Sequence, residues 1–244
     1  MEWCGMVRAP GEQRCRTMRP QESSFWWSVQ GEWVEEPNNR RGGFSGVQRV
    51  LVPEAGGCYY VKRQRNHLFR SVRYPTGRPT LLREWQSMRF CQSIGVPTAP
   101  LVFFEMRKSE AGWESILVTR GLQGYVSLER AYAENLWSCE QRAEALRAVA
   151  GALIALHRAR RKHGHLYPKE VFVDFSGPRP AVAIVDWELS RYRLTAAQAA
   201  QPDVRRLLKS LIALGMPQDE LRLFLDAYRN GGINLPPMPQ LARS

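Results

Sequence analysis

The segment from residue 140 to residue 186 constrains the fold more than any other part of this 244-residue chain. Glu140 to Arg161 is rich in alanine and leucine, and its apolar residues recur at helical spacing, which predicts a long amphipathic helix. A polar loop follows, and the apolar runs Val171–Val173 and Ala181–Val185 then flank a Ser-Gly-Pro turn. This order predicts a helix followed by a β-hairpin that forms the floor of a cleft.

The chain before this segment is predicted to be rich in strands. A strand is expected over the aromatic residues Phe25–Trp27 and Trp33-Val34, and a loop is expected around Pro75–Pro79. A helix from about Leu82 to Ile94 would take Thr80 as its cap and end at Gly95. Further strands are predicted at residues 47–52, 58–64, 99–106 and 115–120, and two more helices at residues 207–214 and 221–228.

These elements predict an α+β fold with two lobes. We assign residues 25–122 to a small β-rich lobe and residues 123–235 to a larger, mainly helical lobe. Residues 1–24 are predicted to be a disordered extension, with Met18 as a candidate start, and residues 236–244 a flexible tail.

The composition favours an anionic partner. Thirty-five lysines and arginines against 23 acidic residues give a formal net charge of +12. Such a charge favours nucleic acid, phosphorylated glycolipid or an anionic membrane surface, although a basic surface that serves only solubility is the alternative. The five cysteines are odd in number and scattered, which disfavours a disulfide framework or a zinc site and favours a reducing cytoplasm. No apolar stretch is long enough for a signal peptide or a membrane span, so any membrane contact is expected to be peripheral.

Two features of the first lobe are suited to binding phosphate. Glycines in the segment from Arg40 to Gly46 would let backbone N–H groups approach phosphate oxygens, although a simple hairpin turn is the alternative. Lys62 lies in a predicted strand, and Glu84 on the next helix could pair with it. A strand lysine paired with a helix glutamate holds nucleotide phosphates in kinases, whereas two solvated charges are the alternative.

The second lobe carries the candidate catalytic residues. The sequence from His163 to Asp174 follows the long helix and enters an apolar strand, as a kinase catalytic loop does. Asp186 ends the next strand, where a carboxylate facing a cleft suits a hard cation, unless it serves only as a turn residue. Asp203 either braces the catalytic loop or acts as an ordinary helix N-cap after Pro202.

Together these motifs resemble the lipopolysaccharide kinase (WaaP/InaA) family, and most closely its InaA branch. The resemblance covers about residues 25–230 and rests on Arg40-Arg41-Gly42-Gly43-Phe44-Ser45-Gly46, Lys62, Glu84, His163-Gly164-x-Leu166-Tyr167-Pro168-Lys169, Asp186 and Pro202-Asp203-Val204-Arg205-Arg206-Leu207-Leu208. It implies a protein-kinase-like fold, ATP and Mg²⁺ as cofactors, and phosphorylation of sugar in the lipid A–core region at the cytoplasmic face of a Gram-negative inner membrane.

The resemblance also implies roles for individual residues. Those assigned to the nucleotide are Gly42, Gly43, Ser45, Gly46, Lys62 and Glu84. Asp186 and Glu170 are assigned to Mg²⁺, and His165 and Asp186 to catalysis.

The catalytic loop departs from the active pattern at two positions. His165 stands where active kinases place the aspartate that orients the attacking hydroxyl, and Glu170 replaces the usual asparagine. In one interpretation, uncharged His165 accepts a hydrogen bond from the sugar while Glu170 binds Mg²⁺, and slow phosphoryl transfer survives. In the other, the chain is a pseudokinase that acts as a stress-related scaffold or binding protein.

The basic residues near the cleft bear on which class of anionic partner the protein binds. Arg63, Arg65, Arg70 and Arg73 are candidates for holding a phosphorylated saccharide or membrane phosphates. A nucleic-acid-binding module is disfavoured, because it would leave the ordered series of Lys62, Glu84 and Asp186 unexplained.

Overall fold

The computed structural model of the protein describes residues 23–40, 43–53 and 57–235. The first lobe contains α1 (Ser23–Ser28), β1 (Glu32–Trp33), β2 (Asn38–Arg40), β3 (Gly43–Val52), β4 (Gly57–Arg65), β5 (Leu68–Ser71), β6 (Tyr74–Pro79), α2 (Thr80–Ser93), β7 (Leu101–Ser109) and β8 (Gly112–Arg120). The second lobe contains β9 (Val126–Ser127), α3 (Leu128–Ala133), α4 (Cys139–Arg158), β10 (Arg161–Lys162), β11 (Val171–Asp174), β12 (Ala181–Ile184), β13 (Arg191–Tyr192), α5 (Ala196–Ala213) and α6 (Gln218–Asn230).

The predicted α+β fold with two lobes is confirmed. Residues 1–22 of the predicted extension and the tail from residue 236 lie outside the described residues. The first described element, α1, begins at Ser23, two residues before the predicted start of the first lobe. The long helix α4 ends at Arg158, three residues earlier than predicted.

An antiparallel sheet with the order β1, β3, β4, β8, β7 forms the first lobe, and β2 pairs with the outer part of β3. On the central strand β4, Lys62 lies between Val47 and Leu117 of the neighbouring strands. Neighbouring residues of a strand point to opposite faces of the sheet. Val61 is fully buried against the apolar residues beneath α1, so Lys62 faces the other way, towards α2.

The aromatic residues Phe25–Trp27 form helix α1, so the predicted strand at this position is wrong. Trp26 is 1% exposed and packs 5.2 Å from the ring of Tyr59 on β4. Aromatic residues favour strands only where they fit a pleated surface. Here the burial of Trp26 against the face of an existing sheet determines the local structure instead.

Arg63 anchors α1 to the sheet. Its guanidinium donates hydrogen bonds to the backbone oxygens of Trp26, at 2.8 Å, and of Val29, at 2.5 Å, and also to the side chain of Gln48. The expectation that Arg63 holds a phosphorylated saccharide is therefore wrong, because both of its terminal nitrogens bind partners within the lobe.

The chain around Pro75–Pro79 forms strand β6, which pairs with β5 in a hairpin, so the predicted loop is wrong. The expectation that Thr80 caps α2 is also wrong, since Thr80 is the first helical residue and follows Pro79. The Thr80 hydroxyl donates to Gln64 Oε1 at 2.8 Å, and the same oxygen accepts the backbone N–H of Leu81 at 3.2 Å. A side chain from β4 thus satisfies the helix N-terminus.

The second lobe is built on α4, which begins with a capping box at Ser138 and buries one apolar face. Strands β11 and β12 form the predicted hairpin, with Val171 opposite Ile184. Thr98 forms an isolated parallel bridge with Ile184, and Ile184 N–H donates to Pro97 O at 3.2 Å. The floor of the cleft is therefore attached to the segment that follows α2.

Candidate active site

Lys62 and Glu84 form the predicted ion pair. Lys62 Nζ lies 2.8 Å from Glu84 Oε2, and the side chains are 20% and 8% exposed. A second carboxylate, Glu188, lies 3.5 Å from the same nitrogen. Burial alone lowers the pKa of Lys62, but the nearby carboxylates outweigh burial and raise it above its ordinary value. Lys62 is therefore a charged ammonium placed beside the cleft, as phosphate binding requires.

Asp203 holds the candidate catalytic loop from inside helix α5. Its carboxylate accepts the backbone N–H of Gly164 at 2.9 Å and that of His163, and it lies 3.3 Å from His157 Nε2. Thr195 caps α5, so Asp203 is an interior residue of the helix and the N-cap alternative is wrong. Burial raises the pKa of Asp203, but the hydrogen bond and charge of His157 outweigh it, and the pKa lies below its ordinary value.

His163 ties the loop to the strand before Asp186. Its Nε2 lies 2.8 Å from the carbonyl oxygen of Val185, so Nε2 carries the proton and donates. Its Nδ1 accepts the backbone N–H of His165 at 3.3 Å. Burial lowers the pKa of His163, which agrees with this uncharged tautomer. One imidazole thus fixes the positions of both His165 and Asp186.

His165, Glu170 and Asp186 converge at the end of the loop. Each offers a ligand atom, and these atoms all lie within 4.8 Å of one another. Asp186 adopts a left-handed backbone conformation, with φ at 63°, which is uncommon for a residue other than glycine. Backbone strain of this kind is concentrated at functional sites, where the surrounding structure holds it in place.

The three side chains fit a divalent cation. Burial raises the pKa of Glu170 to about 7, an effect that Lys169 opposes and Asp186 reinforces. Two carboxylates held this close repel each other, and a cation between them would relieve that repulsion. Carboxylate oxygens suit Mg²⁺ or Mn²⁺, and an imidazole is a more natural ligand of Mn²⁺ than of Mg²⁺.

The glycine segment differs from its prediction. Gly43, Ser45 and Gly46 lie in strand β3 rather than in a turn, and Gly42 lies outside the described residues. A Cβ atom on Gly46 would lie 2.5 Å from the Trp33 ring, and one on Gly43 would lie 3.0 Å from a backbone oxygen. Close packing therefore explains both glycines, and their contact with a nucleotide stays a prediction.

A cavity of about 240 Å³ lies at the connection between the lobes. Its lining residues are Gly57, Thr98, Pro100, Arg120, Gly121, Leu122, Gln123 and Tyr125. Arg120 is the charged residue of this lining, and neither the Lys62–Glu84 pair nor the cluster of His165, Glu170 and Asp186 belongs to it.

Comparisons with known proteins show the family of this chain. The family model of the lipopolysaccharide kinase (Kdo/WaaP) family matches residues 24–228. The chain belongs to this family. It is 42% identical over 193 residues to protein InaA of Escherichia coli (strain K12), covering 78% of this chain and 88% of that protein. A solved structure of WaaP in complex with acyl carrier protein matches with a TM-score of 0.64 and 22% identity, over 91% of this chain and 85% of that one.

Three residues of this family member's site were missed by the sequence reasoning. Glu188 follows Asp186 by two positions, so its spacing was visible, but its contact with Lys62 spans 126 residues. Arg206 donates to the backbone oxygen of Gly164 at 3.0 Å, and Arg161 donates to Ser190 at 2.8 Å. Only the fold brings these arginines to the loop and to the segment after Asp186.

Proposed function

We propose that the protein transfers the γ-phosphoryl group of ATP to a sugar hydroxyl in the lipid A–core region of lipopolysaccharide. One observation carries this proposal: Glu188, two residues after Asp186, contacts Lys62 at 3.5 Å. The phosphate-binding pair of the first lobe and the acidic cluster of the second lobe therefore face the same cleft. Kinases need both groups around the transferred phosphate.

Each residue of the cleft has a role in this proposal. The Lys62 ammonium binds nucleotide phosphate oxygens, and Glu84 keeps that ammonium in place. Asp186 and Glu170 would hold Mg²⁺, which neutralises phosphate charge when it is bound. His165 lies beside these carboxylates, where it accepts a hydrogen bond from the acceptor hydroxyl.

The family and the charge of the chain support the proposed acceptor and location. A formal charge of +12 attracts an anionic glycolipid and the anionic inner face of the inner membrane. None of the described helices is both long and apolar enough to cross a bilayer. The family resemblance and the basic charge support a cytoplasmic location in peripheral contact with that membrane.

A transfer assay tests the proposed function. Wild-type protein, radiolabelled ATP, Mg²⁺ and lipopolysaccharide lacking core phosphate are expected to give labelled lipopolysaccharide. Lys62→Ala is expected to reduce labelling by at least about 100-fold, because it removes the charge that positions the phosphates. Lys108→Ala, at an exposed position on β7, is the matched control and is expected to label as wild type does.

Absence of label with a folded wild-type protein would contradict phosphoryl transfer. That result would favour the second candidate, a pseudokinase that binds without catalysis. The observation that favours this second candidate is His165, since an imidazole replaces the carboxylate that active kinases use to orient the acceptor.

His165→Asp is expected to raise the transfer rate by about tenfold or more, because a carboxylate accepts the hydroxyl proton as general base. The measurement is the initial rate of labelling at saturating ATP, with His165→Asn as the control that has no base. A rate below that of wild type would show that the imidazole itself is required at this position.

A further inference from the structure

The hairpin of β5 and β6 ends in an apolar side chain with no folding role. Val72 is 103% exposed and occupies the two-residue turn between Ser71 and Tyr74 together with Arg73. Such turns favour glycine, asparagine and aspartate, whose backbones suit the turn. A fully exposed, β-branched valine is explained neither by the turn nor by burial among the residues that the structure describes.

All the charged side chains in and next to this hairpin are basic. Residues 66–83 contain four arginines and no aspartate or glutamate. Arg70 and Arg73 are exposed on either side of Val72. Leu68, at the start of β5, is 42% exposed and adds a second apolar side chain to the basic hairpin.

A second segment with the same character follows Asp186. Leu194 is 81% exposed, Tyr192 is 57% exposed and Leu189 is 44% exposed. Arg191 and Arg193 alternate with these residues, and residues 189–202 contain no acidic side chain. Exposed apolar residues and arginines are thus interleaved here as they are in the hairpin.

One face of α2 joins the two segments. Arg83, Ser87 and Phe90 are spaced as i, i+4 and i+7, so they share that face. The Arg83 guanidinium lies 4.5 Å from the ring of Phe69 in the hairpin. The Phe90 ring lies 5.6 Å from Tyr192 in the second segment.

A buried arginine strengthens the same junction. Arg161 donates to Ser87 on α2 at 2.8 Å and stacks 4.6 Å from the ring of Tyr192. Burial and the charge of Arg191 lower the pKa of Arg83, which agrees with the closeness of the two segments. The hairpin and the segment after Asp186 therefore form one basic surface with exposed apolar residues.

We propose that residues 68–74 and 189–194 form the surface through which the protein docks on an anionic lipid bilayer. Aliphatic side chains such as Val72 and Leu194 enter the headgroup region, while the arginines beside them bind lipid phosphates. Single-stranded nucleic acid fits less well, because its bases stack on exposed aromatic rings, whereas the most exposed side chains here are aliphatic. The inference rests on the proposed function, since α2 carries Glu84 and docking would bring the cleft to its lipid acceptor.

Vesicle flotation tests this surface. Wild-type protein is expected to float with vesicles of phosphatidylcholine that contain phosphatidylglycerol and to stay behind with phosphatidylcholine alone. Val72→Asp and the pair Arg70→Glu with Arg73→Glu are expected to lower the bound fraction at least about fivefold. Leu51→Asp is the apolar control, because Leu51 is 64% exposed at the end of β3 that pairs with Cys58, far along β4 from the hairpin.

The charge control is the pair Arg147→Glu with Arg222→Glu, which changes the net charge equally at exposed positions on α4 and α6. The docking surface is overturned if this control loses as much binding as the hairpin pair, if the hairpin variants float like wild type, or if wild type does not float. ATP binding in solution is measured on the same proteins. Hairpin-dependent flotation without any ATP binding would overturn the proposed function alone, and ATP binding without flotation would overturn the docking surface alone.

Discussion

Asp186→Asn is expected to abolish the contribution of Mg²⁺ to ATP binding. The carboxylate of Asp186 lies in the cluster with His165 and Glu170, and an amide oxygen is a much weaker ligand for a hard cation. We expect the Kd for ATP in Mg²⁺ to rise at least about tenfold, which corresponds to about 1.4 kcal/mol. Calorimetric titrations in Mg²⁺ and in a chelator measure both contributions.

The titration in a chelator is the control, because it removes the contribution of Mg²⁺ to ATP binding from each protein. Without Mg²⁺, Asp186→Asn is expected to bind ATP at least as tightly as wild type, because Lys62 and Glu84 are unchanged and a negative charge that repels phosphate is removed. Asp174→Asn supplies the matched substitution, since Asp174 ends the neighbouring strand β11 and its carboxylate accepts hydrogen bonds from the backbone and hydroxyl of Ser176. Equal Mg²⁺ dependence in Asp186→Asn and wild type would contradict a cation site at Asp186.

Asp203→Ala is expected to lower the free energy of unfolding by about 3 kcal/mol. The substitution leaves the backbone N–H groups of His163 and Gly164 without their acceptor and removes the partner of His157, all within a buried region. Unpaired buried donors cost far more than the net worth of one hydrogen bond. Urea unfolding followed by tryptophan fluorescence measures the change.

Asp226→Ala is the control for this loss of stability. Asp226 is half exposed and pairs only with Arg229 on α6, so its removal is expected to cost less than about 1 kcal/mol. If Asp203→Ala were no less stable than this control, Asp203 would not brace the catalytic loop.

Site residues were most predictable from the sequence where a charged side chain lies inside or at the end of an apolar run. Asp186 stands at the end of an apolar run, and Lys62 stands inside another, so each position was predictable from a short stretch of chain. The contact between Lys62 and Glu84 was predictable because kinases carry the lysine of this pair on a strand and its glutamate on the helix that follows. The apolar spacing of α4 predicted a helix because one face of it had to be buried.

Long-range packing decided what the sequence could not show. Helix α1 exists because Trp26 is buried against β4, and the propensities of the residues in this segment do not predict that contact. Arg63 was predicted to bind phosphate because of its charge, but α1 brings two carbonyl oxygens within its reach. Glu188 belongs to the site because the folded chain places it, in the second lobe, beside Lys62 of the first lobe. Such contacts depend on the folded arrangement rather than on a motif.

Anomalous diffraction from crystals grown with Mn²⁺ and a slowly hydrolysed ATP analogue would locate the metal and the nucleotide together. We expect one manganese peak bound by Asp186 and Glu170, with nucleotide phosphate oxygens within hydrogen-bonding distance of Lys62 Nζ. A nucleotide bound elsewhere, or a manganese ion that contacts neither carboxylate, would contradict the assignment of this cleft as the site of phosphoryl transfer.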